Sequence, residues 1–153
     1  MKIDKSITKR MDAFSKKVRD MRQALEAAHK QLLDVADHKD LKHVGVVVGP
    51  QNGDEFEVTF AGVALSVRLL SEMTNTGVAL GKLNFYERTR LTMEPERLIG
   101  SISMKPSGMT DLTDEDGDEV DLSYHFIEAV LQMFEIVLRK RAGGQGSVKA
   151  LSI

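Results

Sequence analysis

From Ile7 to Val35, apolar residues recur at alternating steps of four and three: Ile7, Met11, Phe14, Val18, Met21, Leu25, Ala28, Leu32 and Val35. This is the heptad spacing of a coiled-coil seam, and it predicts one long helix over about Asp4–Ala36. Asp12–Lys16 and Glu26–Lys30 are i,i+4 pairs with the acid N-terminal, the favourable orientation. A helix of about 33 residues is roughly 50 Å long. A strand of about seven residues spans only roughly 23 Å. A sheet in the same chain therefore covers about half the seam. The remainder is expected to pack on a second copy, on the C-terminal helix or on a partner, because each Leu, Val or Phe left in water loses roughly 1.5–3 kcal/mol of burial energy.

The pattern changes after a polar connector at 37–42. His43–Gly49 reads as a Val-rich strand that ends before Pro50 and the Asn52-Gly53 turn pair. Glu55–Phe60 alternates, with Phe56, Val58 and Phe60 on one face, and Val63–Leu70 alternates again in the other phase. The slip at Ala61-Gly62 predicts a tight turn rather than a bulge. Val78–Arg88 is the next strand, with the phase of Leu83 and Phe85 shifted around Gly81, and Leu98–Met104 closes a meander. Gly-Val-Ala-Leu occurs twice, at Gly62–Leu65 and Gly77–Leu80, as expected of two similar strands in one sheet. Lys105–Asp121, punctuated by Pro106, Gly108 and Gly117, reads as loop.

A second helix is predicted over about Ser123–Arg141, capped by Asp121 or Ser123 and stopped by Gly143-Gly144. Its apolar stripe, from Phe126 to Leu138, is wide enough to sit between the sheet and something else. The expected fold is α+β: a long coiled-coil-like N-terminal helix, an antiparallel meander of four or five strands, and an amphipathic C-terminal helix on one sheet face. The first helix (1–38) is the expected assembly element. Residues 43–141 form one domain with it, and 142–153 read as a tail.

Charge refines this picture. Residues 1–43 carry 11 Lys+Arg against 7 Asp+Glu, and residues 44–153 carry 10 against 16, so a helix of +4 precedes a body of −6. In a parallel homodimer of the first helix, Lys17 would face Arg22 of the other chain, a like-charge contact. An antiparallel pair, or docking on the acidic body, is the expected alternative. Candidate interface residues are Met11, Phe14, Val18, Met21, Leu25, Leu32 and Val35, and Leu25→Asp is expected to break assembly while leaving a soluble body.

The same helix offers candidate phosphate contacts in Lys9, Arg10, Lys16, Lys17, Arg19 and Arg22, although interleaved acids dilute its field and no aromatics are placed to stack bases. Seven acids crowd the eleven residues from Asp111 to Asp121. An EF-hand register fails, because with Gly117 at the sixth position Leu112 and Ser123 occupy the first and twelfth, where carboxylates are required. The stretch reads first as a solvated loop whose last acids complement the following helix N-terminus, with Asp114, Asp116 and Asp118 as candidate contacts for a basic partner such as the long helix of a neighbouring copy.

Little else in the chain points to chemistry. There is no cysteine, no HExxH, no phosphate-binding glycine loop and no Gly-x-Ser-x-Gly, and His29, His38, His43 and His125 lack metal-ligand spacing. No catalytic residue, metal or cofactor is assigned. No apolar run is long enough for a membrane span, and the first ten residues lack the apolar core of a secretory signal, so a cytoplasmic protein is expected. The expected function is a small non-catalytic interaction or regulatory protein that self-associates or docks on a larger partner through its N-terminal helix. The alternatives are a nucleic-acid-binding accessory protein and a structural subunit of a larger assembly.

Overall fold

The computed structural model describes residues 1–38, 44–88 and 96–145, with the side chains of Tyr124, Gly144 and Gln145 excepted. The expected connector at 39–42, the His43 start of the first strand, the Glu94-Pro95 turn and the tail from 146 onward lie outside the described residues. The heptad run forms a single helix, α1 (Ile7–Ala36). Asp4 shapes its entry. Its carboxylate accepts the Ser6 hydroxyl at 2.7 Å and the Ser6 backbone N–H at 2.9 Å. These hydrogen bonds, with Arg10 beside them, hold the Asp4 carboxyl below its ordinary value.

Seven strands follow among the described residues, not four or five: β1 (Val47–Val48), β2 (Glu55–Phe60), β3 (Val63–Met73), β4 (Ala79–Arg88), β5 (Arg97–Met104), β6 (Met109–Thr113) and β7 (Glu119–Asp121). They form one antiparallel meander in sequence order. Turn chemistry explains why the chain doubles back so regularly. The β3–β4, β5–β6 and β6–β7 turns are three-residue loops, each ending in a glycine at positive φ: Gly77 (82°), Gly108 (92°) and Gly117 (83°). Each glycine N–H donates to the carbonyl just before its loop, of Thr74, Lys105 and Asp114, at 2.9–3.0 Å. That left-handed position suits glycine, which has no Cβ to clash. Between β2 and β3, Ala61 (φ 51°) and Gly62 (φ 77°) form the two-residue turn expected there. The repeated Gly-Val-Ala-Leu thus marks two strands that both begin just after the glycine closing a hairpin turn.

Three expectations are corrected. Lys105–Asp121 is not loop: its acids conceal two short strands that bury Thr110 and Val120, where the Thr110 hydroxyl donates to the Val120 carbonyl at 2.7 Å. The first strand shrinks to Val47–Val48, because Gly45 at φ 81° turns the chain just before it. The alternation of β4 is unbroken at Gly81. Gly81, Leu83, Phe85 and Glu87 share one face, and the bulge falls opposite Phe85/Tyr86, where Ile99 is the extra residue on β5.

The second helix, α2 (Leu122–Gln145), begins under an Asp121 cap, whose carboxylate accepts the Ser123 hydroxyl at 2.8 Å and its N–H at 3.0 Å. It bends at His125 and runs to Gln145, so Gly143-Gly144 do not stop it as expected and the first four residues of the expected tail at 142–153 are helix. Both helices lie on the same face of the sheet and pack against each other. Phe126 reaches Phe56 and Phe85 at ring separations of 6.0 and 6.3 Å, and Phe134 meets Phe60 at 5.5 Å. The wide stripe of α2 is thereby divided between sheet and α1. Where the heptad seam is covered, it is one layer of this two-layer core rather than a strand of a coiled coil.

Two glycines set the height of the helices. A Cβ on Gly81 would lie 2.9 Å from Met21 Sδ and 3.2 Å from Leu69 Cδ1, and one on Gly100 would lie 2.8 Å from Met133 Sδ. α1 therefore seats on β4, and α2 on β5, where no side chain intervenes. Gly81→Val is expected to lift α1 and cost about 1–3 kcal/mol by overpacking. Thermal unfolding followed by circular dichroism should show a Tm lower by roughly 3–10 °C. Gly81→Ala should do less, because the Met21 thioether can move aside.

Candidate functional site

Burial rises steadily along the seam of α1. Ile7 and Met11 are 47% and 45% exposed, Phe14 and Val18 are half-buried, and Met21, Leu25, Ala28 and Leu32 are fully buried. Val35, at the far end, is half-buried. The 30-residue helix is about 45 Å long, and the fully buried stretch from Met21 to Leu32 covers about 17 Å of it. Of the candidate interface residues, Met21, Leu25 and Leu32 have their side chains in this chain's own core. Met11, Phe14 and Val18 lie toward the uncovered end.

Beside that end lies an apolar groove of about 480 Å³, between α1 and the tip of the β3–β4 hairpin. Ala13, Phe14, Met73 and Val78 line it, with Arg10 and Lys17 at its edges. Met73 and Val78 are absent from the candidate residues, although two large apolar side chains flanking a turn are a signal that sequence reading can use. The exposed Ile7 and Met11 lie about two turns and one turn before Phe14 on the same seam.

The candidate phosphate contacts are not equally available. Arg22 forms a fork on Asp54, with Nε at 2.6 Å and an Nη at 3.2 Å, and this hydrogen-bonded carboxylate raises the guanidinium pKa above its ordinary value. The pair ties α1 to the turn before β2. Arg10 is paired with Asp4, and Lys16 with Asp12 at 3.4 Å. Lys9, Lys17 and Arg19 are exposed and show no ion pair among the described residues. The first 20 residues hold seven Lys+Arg against three Asp, a net +4.

The acidic residues sit at the opposite sign of potential. Asp114 closes the β6–β7 turn, its Oδ1 accepting the N–H groups of Asp116 and Asp118 at 2.9 and 3.0 Å. Asp116 and Asp118 themselves are exposed. Between this hairpin and α2 runs a second groove of about 560 Å³, with Leu112, Val120 and Ala129 as apolar lining and Glu115, Asp116 and Glu128 among its acids. His125 lies on its wall, Nδ1 3.7 Å from the Glu128 carboxylate.

The sheet face away from the helices is polar but satisfied. Arg68 bridges Glu55 and Glu96 and stacks 4.7 Å above Tyr86, while Arg88 bridges Glu57 at 2.6 Å and Glu96 at 3.2 Å. Beneath them Ser101 donates to Asn84, and Asn84 to the Tyr86 hydroxyl. These groups neutralise one another, and no buried side-chain polar atom lacks a partner among the described residues. Buried His29 is structural: its Nε2 donates to the Gly49 carbonyl at 2.8 Å and its ring packs on Phe56. Among the described residues no group of three or more His, Asp or Glu is arranged to hold a metal ion, and no helix is long and apolar enough to cross a membrane.

Two surfaces stand out among the described residues: an apolar ridge edged by cations at one end of α1, and an acid-rimmed groove beside α2. No protein family, characterised protein or solved structure matches this chain.

Proposed function

We propose that this chain is a small non-catalytic interaction protein that self-associates through the first half of α1. One observation supports the reading above the others: a single seam, uniform in pattern, is buried at Met21–Leu32 and uncovered at Ile7 and Met11. Each is a little under half exposed, so covering it on association is worth roughly half of the 1.5–3 kcal/mol of full burial. Contact with nucleic acid draws on a cation set thinned by Arg22, which is tied to Asp54.

Light scattering on the full chain tests this. The wild type is expected to exceed its 17.0 kDa monomer mass with rising concentration. Ile7→Asp/Met11→Asp should return it to monomer and keep the Tm that the wild type shows when diluted below its association range, because both positions are exposed. A wild-type mass of one chain at every concentration would overturn self-association.

A further inference from the structure

We infer that the uncovered ridge of α1 docks head-to-tail in the acid-rimmed groove between β6–β7 and α2 of a second copy. The inference rests on the self-association reading and names the surface on which it acts. Three observations carry it. The first is charge. The ridge is flanked on one side by Arg10 and Lys17, in a segment of net +4, whereas the groove carries Glu115, Asp116 and Glu128 and no Lys or Arg. Two copies of the ridge packed on each other would bring two segments of net +4 together, and an antiparallel pair, one of the two arrangements expected from the sequence, would set Arg10 against Lys17. Such like-charge contacts oppose that partner choice and leave docking on the acidic body. The groove offers opposite charge at its rim instead.

The second observation is shape. The groove is concave, about 560 Å³, and its lining combines apolar Leu112, Val120 and Ala129 with its acids. A ridge of Ile7 and Met11 edged by cations matches both kinds of lining. The third is reach. No residue of α1 lines this groove. The helix is continuous and held in the core from Met21 to Leu32, so its first half cannot turn back to fill the groove of its own chain. A ridge and a groove at separate places on one chain form a heterologous contact, which closes into a ring or propagates as a filament.

Charge reversal in the full chain tests the assignment. Arg10→Glu/Lys17→Glu and, separately, Glu115→Lys/Asp116→Lys are each expected to weaken self-association by at least about tenfold at low salt. Asp114 is left intact because its carboxylate closes the turn. A chain carrying all four changes keeps the net charge of −2 and restores opposite signs, so its association should return to within about threefold of wild type. At about 1 M salt, where screening acts within roughly 3 Å, the differences among the variants should shrink. If the α1 reversal dissociates the protein and the groove reversal does not, the groove assignment is overturned while self-association through α1 stands. If neither reversal acts but Ile7→Asp/Met11→Asp does, the contact is apolar and the groove assignment is again overturned. Failure of the four-change chain to recover, with its Tm unchanged, overturns it as well.

Discussion

Leu25→Asp is expected to unfold the whole chain rather than release a soluble body from an assembly. Leu25 is fully buried, on the turn of α1 that follows Met21, and Met21 lies directly over Gly81 of β4. Removing its burial costs about 2–5 kcal/mol, as for a buried leucine cut to alanine. The new carboxylate would lie in the apolar core, and taking a charge out of water there costs several kcal/mol more. The sum approaches or exceeds the roughly 5–15 kcal/mol that holds a domain of this kind together. Far-UV circular dichroism should show no cooperative melting transition, and methyl proton signals should lose their dispersion. Ile7→Asp is the control on the same seam. It introduces the same charge where the native side chain is 47% exposed, and stability should stay within about 0.5 kcal/mol of wild type. If Leu25→Asp melts normally and changes only the solution mass, the buried half of the seam has been misplaced.

That pair of outcomes also marks how far the sequence can be read. Heptad spacing identifies α1, and comparing helix length with strand length shows that about half of the seam goes uncovered. Spacing is silent on which half, because Leu25 and Met11 occupy equivalent positions in it. The choice is made by close approach. Ala24 and Ala28 carry little bulk, and Gly81 and Gly108 leave room against α1. A Cβ on Gly108 would lie only 3.4 Å from Ala24 Cβ. Such pairings join residues 60 and 84 positions apart, beyond the reach of local pattern. The β6–β7 hairpin is hidden for a different reason. Its outward positions are so acidic that the inward Thr110, Leu112 and Val120 no longer read as alternation. The turn Glu115-Asp116-Gly117 has the same three-residue form as Asn75-Thr76-Gly77, which is readable because apolar strands flank it. The acidic groove depends on that hairpin and so is legible only as a cluster of charge.

Glu87 carries the second large effect, and strand parity alone places it on the buried face with Leu83 and Phe85. Its side chain is 8% exposed and meets Arg97 at 2.6 Å and Arg141 at 2.9 Å, whose own side chains are 44% and 43% exposed. The cluster is asymmetric: the acid is desolvated and the bases are not. Removing the acid frees two guanidinium groups that can turn to water, so Glu87→Gln should cost no more than about 1–1.5 kcal/mol, the worth of ordinary hydrogen bonds. Removing both bases leaves the carboxylate buried and alone, so Arg97→Ala/Arg141→Ala should cost about 3–5 kcal/mol. Each single arginine variant should cost less than half of the double, because the remaining base still compensates the acid. Urea unfolding with an unchanged m-value measures the series. Equal costs for the acid and the double-base variants would mean that Glu87 is solvated. The contact also bears on assembly, since Arg141 ties the end of α2 to β4 and Glu128, nearer its start, rims the acidic groove. Glu87→Gln keeps the fold and lies away from both docking surfaces, so it should leave the solution mass unchanged. A fall in mass with Tm preserved would show that the groove depends on how tightly α2 is anchored at its far end.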